Sequence, residues 1–270
     1  MRQLRTASLV TIAALAMLLV MSSAALAKVT FTRVFALGVG PYANAALART
    51  PNGQLHILYQ TTTGTSPAPT GLATRVISPT GQLGPAVQAL SGWTAGIPGL
   101  AVLPDGSLLG AFGAVSPQNV SSMWTIASAD DGQTWSAPGA TPTSVAQAYG
   151  ANLNLQALGA TPVFTLAVSG GVTTQQGIAS GSPSSLLVDA TDDFAGDVNS
   201  AVDASGAVIV SWDSLAGSGG DFIREAAPQL GPVQEAPGGL KDELQLAARS
   251  VGGGVFAPYS PDKAHVRLVR

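Results

Sequence analysis

Five glycines constrain how this chain can fold. Gly53, Gly106, Gly159, Gly206 and Gly253 recur at intervals of 53, 53, 47 and 47 residues, each between two apolar, strand-like runs. "NAALARTPNGQLHILYQ" begins at Asn44 and "PGLAVLPDGSLLGAFGA" at Pro98. "NLNLQALGATPVFTLAV" begins at Asn152, "NSAVDASGAVIVSWDS" at Asn199 and "LQLAARSVGGGVFAPYS" at Leu244. Asn52-Gly53 and Asp105-Gly106 are hairpin signals, and a two-residue primed turn, which needs positive φ, is expected at each. Ser205-Gly206 is a weaker signal of the same kind. A third strand follows each hairpin, in "GLATRVIS", "SSMWTIAS", "TTQQGIAS", "DFIREA" and "KAHVRLVR". A fourth is expected around Val87, Trp135, Leu187 and Val233. Four short strands repeating every ~40–50 residues is the pattern of a propeller blade.

The expected fold is therefore all-β: a single β-propeller of four-stranded antiparallel blades, five in number, with six as the alternative. The last repeat stops at its third strand. "VTFTRVFAL", Val29 to Leu37, precedes the first repeat as a fourth strand would. It is expected to complete the last blade, so that the ring has no open edge to aggregate. An open β-sandwich of similar strand content is the competing architecture.

The first 27 residues read differently. Arg2 and Arg5 precede the apolar run Ala7 to Met21, and "SSAALA" ends in a small-x-small pattern at Ala25 and Ala27. This is the layout of a secretory signal peptide cleaved after Ala27, leaving residues 28–270 as the propeller domain. The run is short for a membrane span, which takes ~20 residues, though an uncleaved anchor is the other reading. The expected location is secreted or periplasmic, in a bacterial setting, with no membrane attachment after cleavage. Cysteine is absent, so neither a lipid anchor nor a disulfide staple is available.

Beyond Ala27 ten basic residues face fifteen acidic ones, a net charge of about −5. No basic patch stands out, which argues against a nucleic-acid partner. Glycine and proline together number 50, and their regular spacing points to turns rather than disorder.

"SADDGQTW" fits S-x-D-x-G-x-T-W at Ser128, Asp130, Gly132, Thr134 and Trp135. The segment resembles the Asp-box of β-propellers in the sialidase superfamily, also written as the BNR repeat. It occurs cleanly once; "SPTGQLGPA" at Ser78 keeps the turn and glycine but lacks the aspartate and tryptophan. The aspartate suits backbone N–H groups within a turn, glycine permits positive φ, and the indole can cover the hairpin base. The resemblance implies a structural role for this turn, on the face opposite the active site.

The resemblance also implies what an active sialidase would need: three arginines on the substrate carboxylate, a tyrosine–glutamate pair and an acid/base aspartate. Arg49 and Arg249 lie toward the turn end of inner strands, and Arg75, Arg224 and Arg267 lie in third strands. Arg33 is in the expected closing strand and Arg270 is terminal. No such clamp is expected to assemble. Five-bladed glycosidases instead use carboxylates at the channel mouth, and two at the proper separation suffice. Counting nine residues back from each turn glycine places Asp197 at an inner-strand entrance, with Glu243 and Asp242 beside another. Asp213 ends a second strand on the same face. These are the candidate catalytic residues, although solvated loop carboxylates are the plainer reading.

Tyr42, Asn44, Trp93, Tyr149, Asn152 and Trp212 fall near the channel face by register. Aromatic rings stack on sugar faces and amides bond hydroxyls, so these are ligand-binding candidates; each could equally be core. Asp189, Asp192, Asp193 and Asp197 make an acidic stretch that could hold calcium, although its spacing is not that of an EF-hand. No other cofactor is suggested. His56 and His265 lie alone on strands and form no metal cluster. Two functional expectations stand together. One is a non-catalytic, monomeric, exported propeller binding a glycan or extracellular protein. The other is a glycoside hydrolase using Asp197, Asp213 and Glu243.

Overall fold

A computed structural model describes residues 44–62, 69–140, 153–158, 161–168, 171–176, 184–189, 195–214, 220–235, 246–248, 255–259 and 267–269. The chain divides into Met1–Leu37 and Gly38–Arg270, and every described residue belongs to the second unit. The expected signal peptide and the strand Val29 to Leu37 lie outside the described residues. Among the described residues no helix is long and apolar enough to cross a membrane.

The described elements are all strands, gathered into five antiparallel sheets. The first holds β1 (Ala45–Arg49), β2 (Leu55–Thr62), β3 (Pro69–Ile77) and β4 (Val87–Ser91). The second holds β5 (Thr94–Val102), β6 (Leu108–Val115), β7 (Ser121–Ser128) and β8 (Gly139–Ala140). The third holds β9 (Leu153–Leu158), β10 (Thr161–Val168), β11 (Gly171–Gln176) and β12 (Ser184–Asp189). The fourth holds β13 (Ala195–Val202), β14 (Val208–Ser214), β15 (Gly220–Ala227) and β16 (Gln234–Glu235). The fifth holds β17 (Ala247–Ala248), β18 (Val255–Tyr259) and β19 (Arg267–Val269). Each sheet is a meander in chain order. The leading strands neighbour one another in sequence, β1 to β5, β5 to β9, β9 to β13 and β13 to β17. Successive meanders joined at their leading strands are the arrangement of a β-propeller.

The core lies between sheets. Leu58, Leu72 and Leu90 of the first sheet pack with Leu100, Leu108, Phe112 and Ile126 of the second. Val163 and Val188 of the third pack with Val198, Val210 and Trp212 of the fourth. Middle strands are thus covered on both faces. This is why β6, "LLGAFGAV", is buried over seven consecutive residues and shows no alternation. β1 alternates exposed and half-buried positions instead, with Leu47 60% exposed.

The expected primed turns are not what forms. In the first hairpin Gly53 N–H donates to Thr50 O, and Thr50 N–H donates to Gln54 O. Gly106 to Leu103 and Gly206 to Asp203 repeat the bond. Only the glycine is left-handed, at φ 87°, 85° and 85°. Each is a type I turn closed by a left-handed residue, the three-residue loop rather than the two-residue one. Pro51 and Pro104 favour this in the first two, since proline's fixed φ near −65° suits the second position of a type I turn, which they occupy. Gly159 and Gly253 lie outside the described residues. The expected outer strand at Trp135 begins four residues later, at β8, because the Ser128–Trp135 turn runs longer than a simple hairpin.

Candidate functional site

The turns at Gly53, Gly106 and Gly206, which join the first two strands of their sheets, lie at one end, the turn end. The Ser128–Trp135 segment joins β7 to β8 at that end. Ser128 Oγ accepts from Gly132 N–H at 2.9 Å and donates to Asp130 Oδ1 at 2.8 Å. Asp130 Oδ1 accepts from Thr134 N–H at 2.9 Å, and Oδ2 accepts from Thr134 Oγ1 at 2.6 Å. Those bonds hold the Asp130 carboxyl below the usual carboxylate pKa, with Thr134 the largest contributor. Asp131 (φ 56°) and Gly132 (φ 79°) supply the left-handed backbone. Trp135 is half-buried and packs on the core shared by the first two sheets. Ser128, Asp130, Gly132 and Thr134 thus bond within the turn, while Trp135 packs on the core beside it.

The opposite end holds the channel-face candidates. Asn44, at the start of β1, is exposed. Its N–H and Nδ2 donate to Gln60 Oε1 at 2.8 and 3.2 Å, and Gln60 N–H returns a bond to Asn44 O. Gln60 is buried, and its Nε2 donates to Ala95 O of the second sheet at 2.9 Å. Sequence reasoning passed over Gln60, which carries no motif. Trp93 is half-buried, edge-on to Trp124 at 4.7 Å and to Phe112 at 6.5 Å. Trp212 is only 1% exposed, stacks on Phe222 at 5.8 Å and sits within the fourth sheet's core. Its ring is buried among core residues, the alternative that the sequence leaves open for it. Tyr42, Tyr149 and Asn152 lie outside the described residues.

The strand register brings aspartate positions closer together than the sequence indicates. Asp213 pairs in register with Asp221 across β14 and β15. Asp197 lies in an irregularity of β13, between the pairs Ala195–Ser214 and Val198–Trp212, and so at the level of Asp213. Three aspartates therefore occupy one level of three adjacent strands, at the end away from the turns. Asp221 is 1% exposed and Asp213 half-buried. Asp221 opens the expected third strand "DFIREA" but the sequence does not single it out, because only the register of β14 with β15 sets it opposite Asp213. Asp189 ends β12; Asp192, Asp193, Asp242 and Glu243 lie outside the described residues. Among the described residues no group of three His, Cys, Asp or Glu side chains is placed to hold a metal ion.

The described arginine side chains stay away from that end. Arg49 Nη1 donates to Gly53 O at 2.8 Å, on a turn. Arg224 Nε donates to Gly231 O at 2.5 Å, and its Nη1 donates to Val188 O of the third sheet. Arg75 lines a cleft at the turn end.

No protein-family model matches the sequence, and no curated protein matches it. Solved structures do match. An α-L-arabinanase of Penicillium chrysogenum, complexed with arabinobiose, aligns with 86% of this chain and 78% of its own, at 14% identity and a TM-score of 0.61. A sialidase of Streptococcus pneumoniae aligns with 84% of this chain and 58% of its own, at 11% identity and a TM-score of 0.59. A Hadza microbial sialidase aligns with 83% of this chain at 10% identity and a TM-score of 0.58, and the chain spans about half of its length, 51%. The chain has the β-propeller fold of these sialidases and arabinan-cleaving enzymes.

Proposed function

We propose that this chain is an exported propeller that binds a glycan at the end of the sheets away from the turns, without cleaving it. The observation that carries the reading is the likeness, over more than four fifths of the chain, to propellers named as sialidases and an arabinanase. The placement of Arg49, Arg75 and Arg224 toward the turn end supports a role other than sialic-acid cleavage, since a carboxylate clamp needs converging guanidinium groups. An extracellular protein is the other ligand class such a face could take, and export rests on the first 27 residues alone. Calorimetry with arabinan, xylan and sialyllactose should show binding to at least one, weakened by Asn44→Ala, with no sugar released. Absence of binding to all three would sink the reading.

The aspartate row favours a second reading, a glycoside hydrolase in which Asp213 and Asp197 act as acid and base with Glu243. Paired carboxylates are the equipment of that chemistry. Sugar release by the protein, lost in Asp213→Asn while folding is retained, would establish it in place of the binder.

A further inference from the structure

A cleft of about 400 Å³ opens at the turn end, between the first and second sheets. One wall is the outer half of the first sheet, from Thr74 to Val76 and on through the Ser78–Gly84 turn to Val87. The other is the Asp130–Gln133 stretch of the second sheet's turn. The Gly132 backbone lies against Thr74, so the turn closes one side of the cleft.

Two of its charged groups, Arg75 and Asp131, make no hydrogen bond among the described residues. Arg75 makes no hydrogen bond or ion pair among the described residues, and its Nε is buried without an acceptor. Gln54 Oε1, on the same lining, is buried without a donor. The Asp131 carboxylate accepts no hydrogen bond among the described residues, whereas Asp130 is saturated by its own turn. A guanidinium and a carboxylate thus share one cleft without bridging each other. Buried polar atoms are normally paired, and unpaired ones call for an explanation.

We propose that this cleft is a second binding site, on the face opposite the channel-face site, and that it takes a neutral carbohydrate the size of one or two sugar rings. Purely anionic ligands meet Asp130 and Asp131, and purely cationic ones meet Arg75. Hydroxyl groups both donate and accept, so a sugar answers Arg75 and Asp131 at once, while Leu83 and Pro85 offer its ring an apolar wall. A ligand contact with Arg75 also gives Nε a reason to be held ready rather than tied to the protein.

The proposal stands apart from the glycan reading above, and the experiment keeps them separate. The purified protein is titrated with arabinobiose, xylobiose, cellobiose and lactose by calorimetry, beside Arg75→Ala, Asp131→Asn and Asn44→Ala. Asparagine tolerates the left-handed backbone at 131, so that variant folds. The expected result is binding of at least one disaccharide with a component weakened about tenfold or more by Arg75→Ala and by Asp131→Asn, as for loss of a charge-assisted hydrogen bond, and separate from any component that Asn44→Ala weakens at the channel face. Circular dichroism melts confirm that each variant is folded. Binding lost only in Asn44→Ala would place the sugar at the channel face and overturn this proposal alone. Binding of none of the four disaccharides would also overturn it.

Discussion

Burying an imidazole with neither nitrogen bonded removes a polar group from water for no return. His56 is in that position: fully buried on β2, with Nδ1 and Nε2 both lacking partners. Burial pushes its pKa below the usual 6.5, while attraction to Asp131 pulls less strongly the other way. As pH falls, the unfolded chain therefore takes up the proton first. The stability present above about 6.5 is lost on acidification, by at most about 1.4 kcal/mol per pH unit. His56→Leu should abolish this dependence. Urea unfolding at pH 7.5 and 5.5 is expected to show the variant gaining on the wild type at the lower pH. A gap that does not change between the two would mean that burial leaves the His56 pKa where it is in the unfolded chain. Trp212 belongs to the same scale. Trp212→Ala should cost about 3–5 kcal/mol by urea unfolding, as for a large ring removed from a packed core. The sequence places Trp212 at the end of a second strand but leaves open whether it faces core or ligand. Alternation separates inside from outside only where one face of a strand is wet, and middle strands here are covered on both.

At the scale of the element, the third strands "GLATRVIS", "SSMWTIAS" and "DFIREA" were legible because each sits between turn residues of known chemistry. They appear as β3, β7 and β15. What could not be read was the turn type, where proline overrode the Asn-Gly and Asp-Gly signals, and the alignment of Asp221 with Asp213, which depends on pairing across a loop. The Ser128–Trp135 turn also yields a pH-dependent prediction. The Asp130 pKa is depressed in the folded chain, so its contribution is present above the ordinary carboxylate range and is lost as pH falls through the folded value. Asp130→Ala should lower Tm at pH 7, with a difference that shrinks toward pH 3 in a series of calorimetric melts. A difference that stays constant would assign the effect to packing. Gly71 makes a second test of an element. A Cβ there would lie 2.1 Å from Leu90 O, across the β3–β4 pair. Backbone cannot yield as a side chain can, so Gly71→Ala should cost more than the ~1–3 kcal/mol of ordinary overpacking. A soluble variant with wild-type Tm would show that β4 shifts freely.

At the scale of the whole molecule, the backbone hydrogen bonds among the described residues run within each sheet and not between sheets, so side chains hold the described sheets to one another. Apolar packing does most of this and is non-directional. Gln60 adds direction: from the first sheet it takes Asn44 N–H on one side and reaches Ala95 O of the second sheet on the other. Nothing in "LHILYQTT" marks that residue, because its partners are 16 positions before it and 35 after it. Gln60→Leu keeps the bulk but leaves the Ala95 carbonyl and the Asn44 amide to find water. Removing one partner of a buried bond costs about 1–3 kcal/mol. Chemical unfolding should show a loss of that size with an unchanged m-value, since the sheets would unfold together from a weaker start. A reduced m-value would mean instead that the first sheet loosens from the second before the rest unfolds. The sheets would then act as separable blades at the end where Asn44 lies.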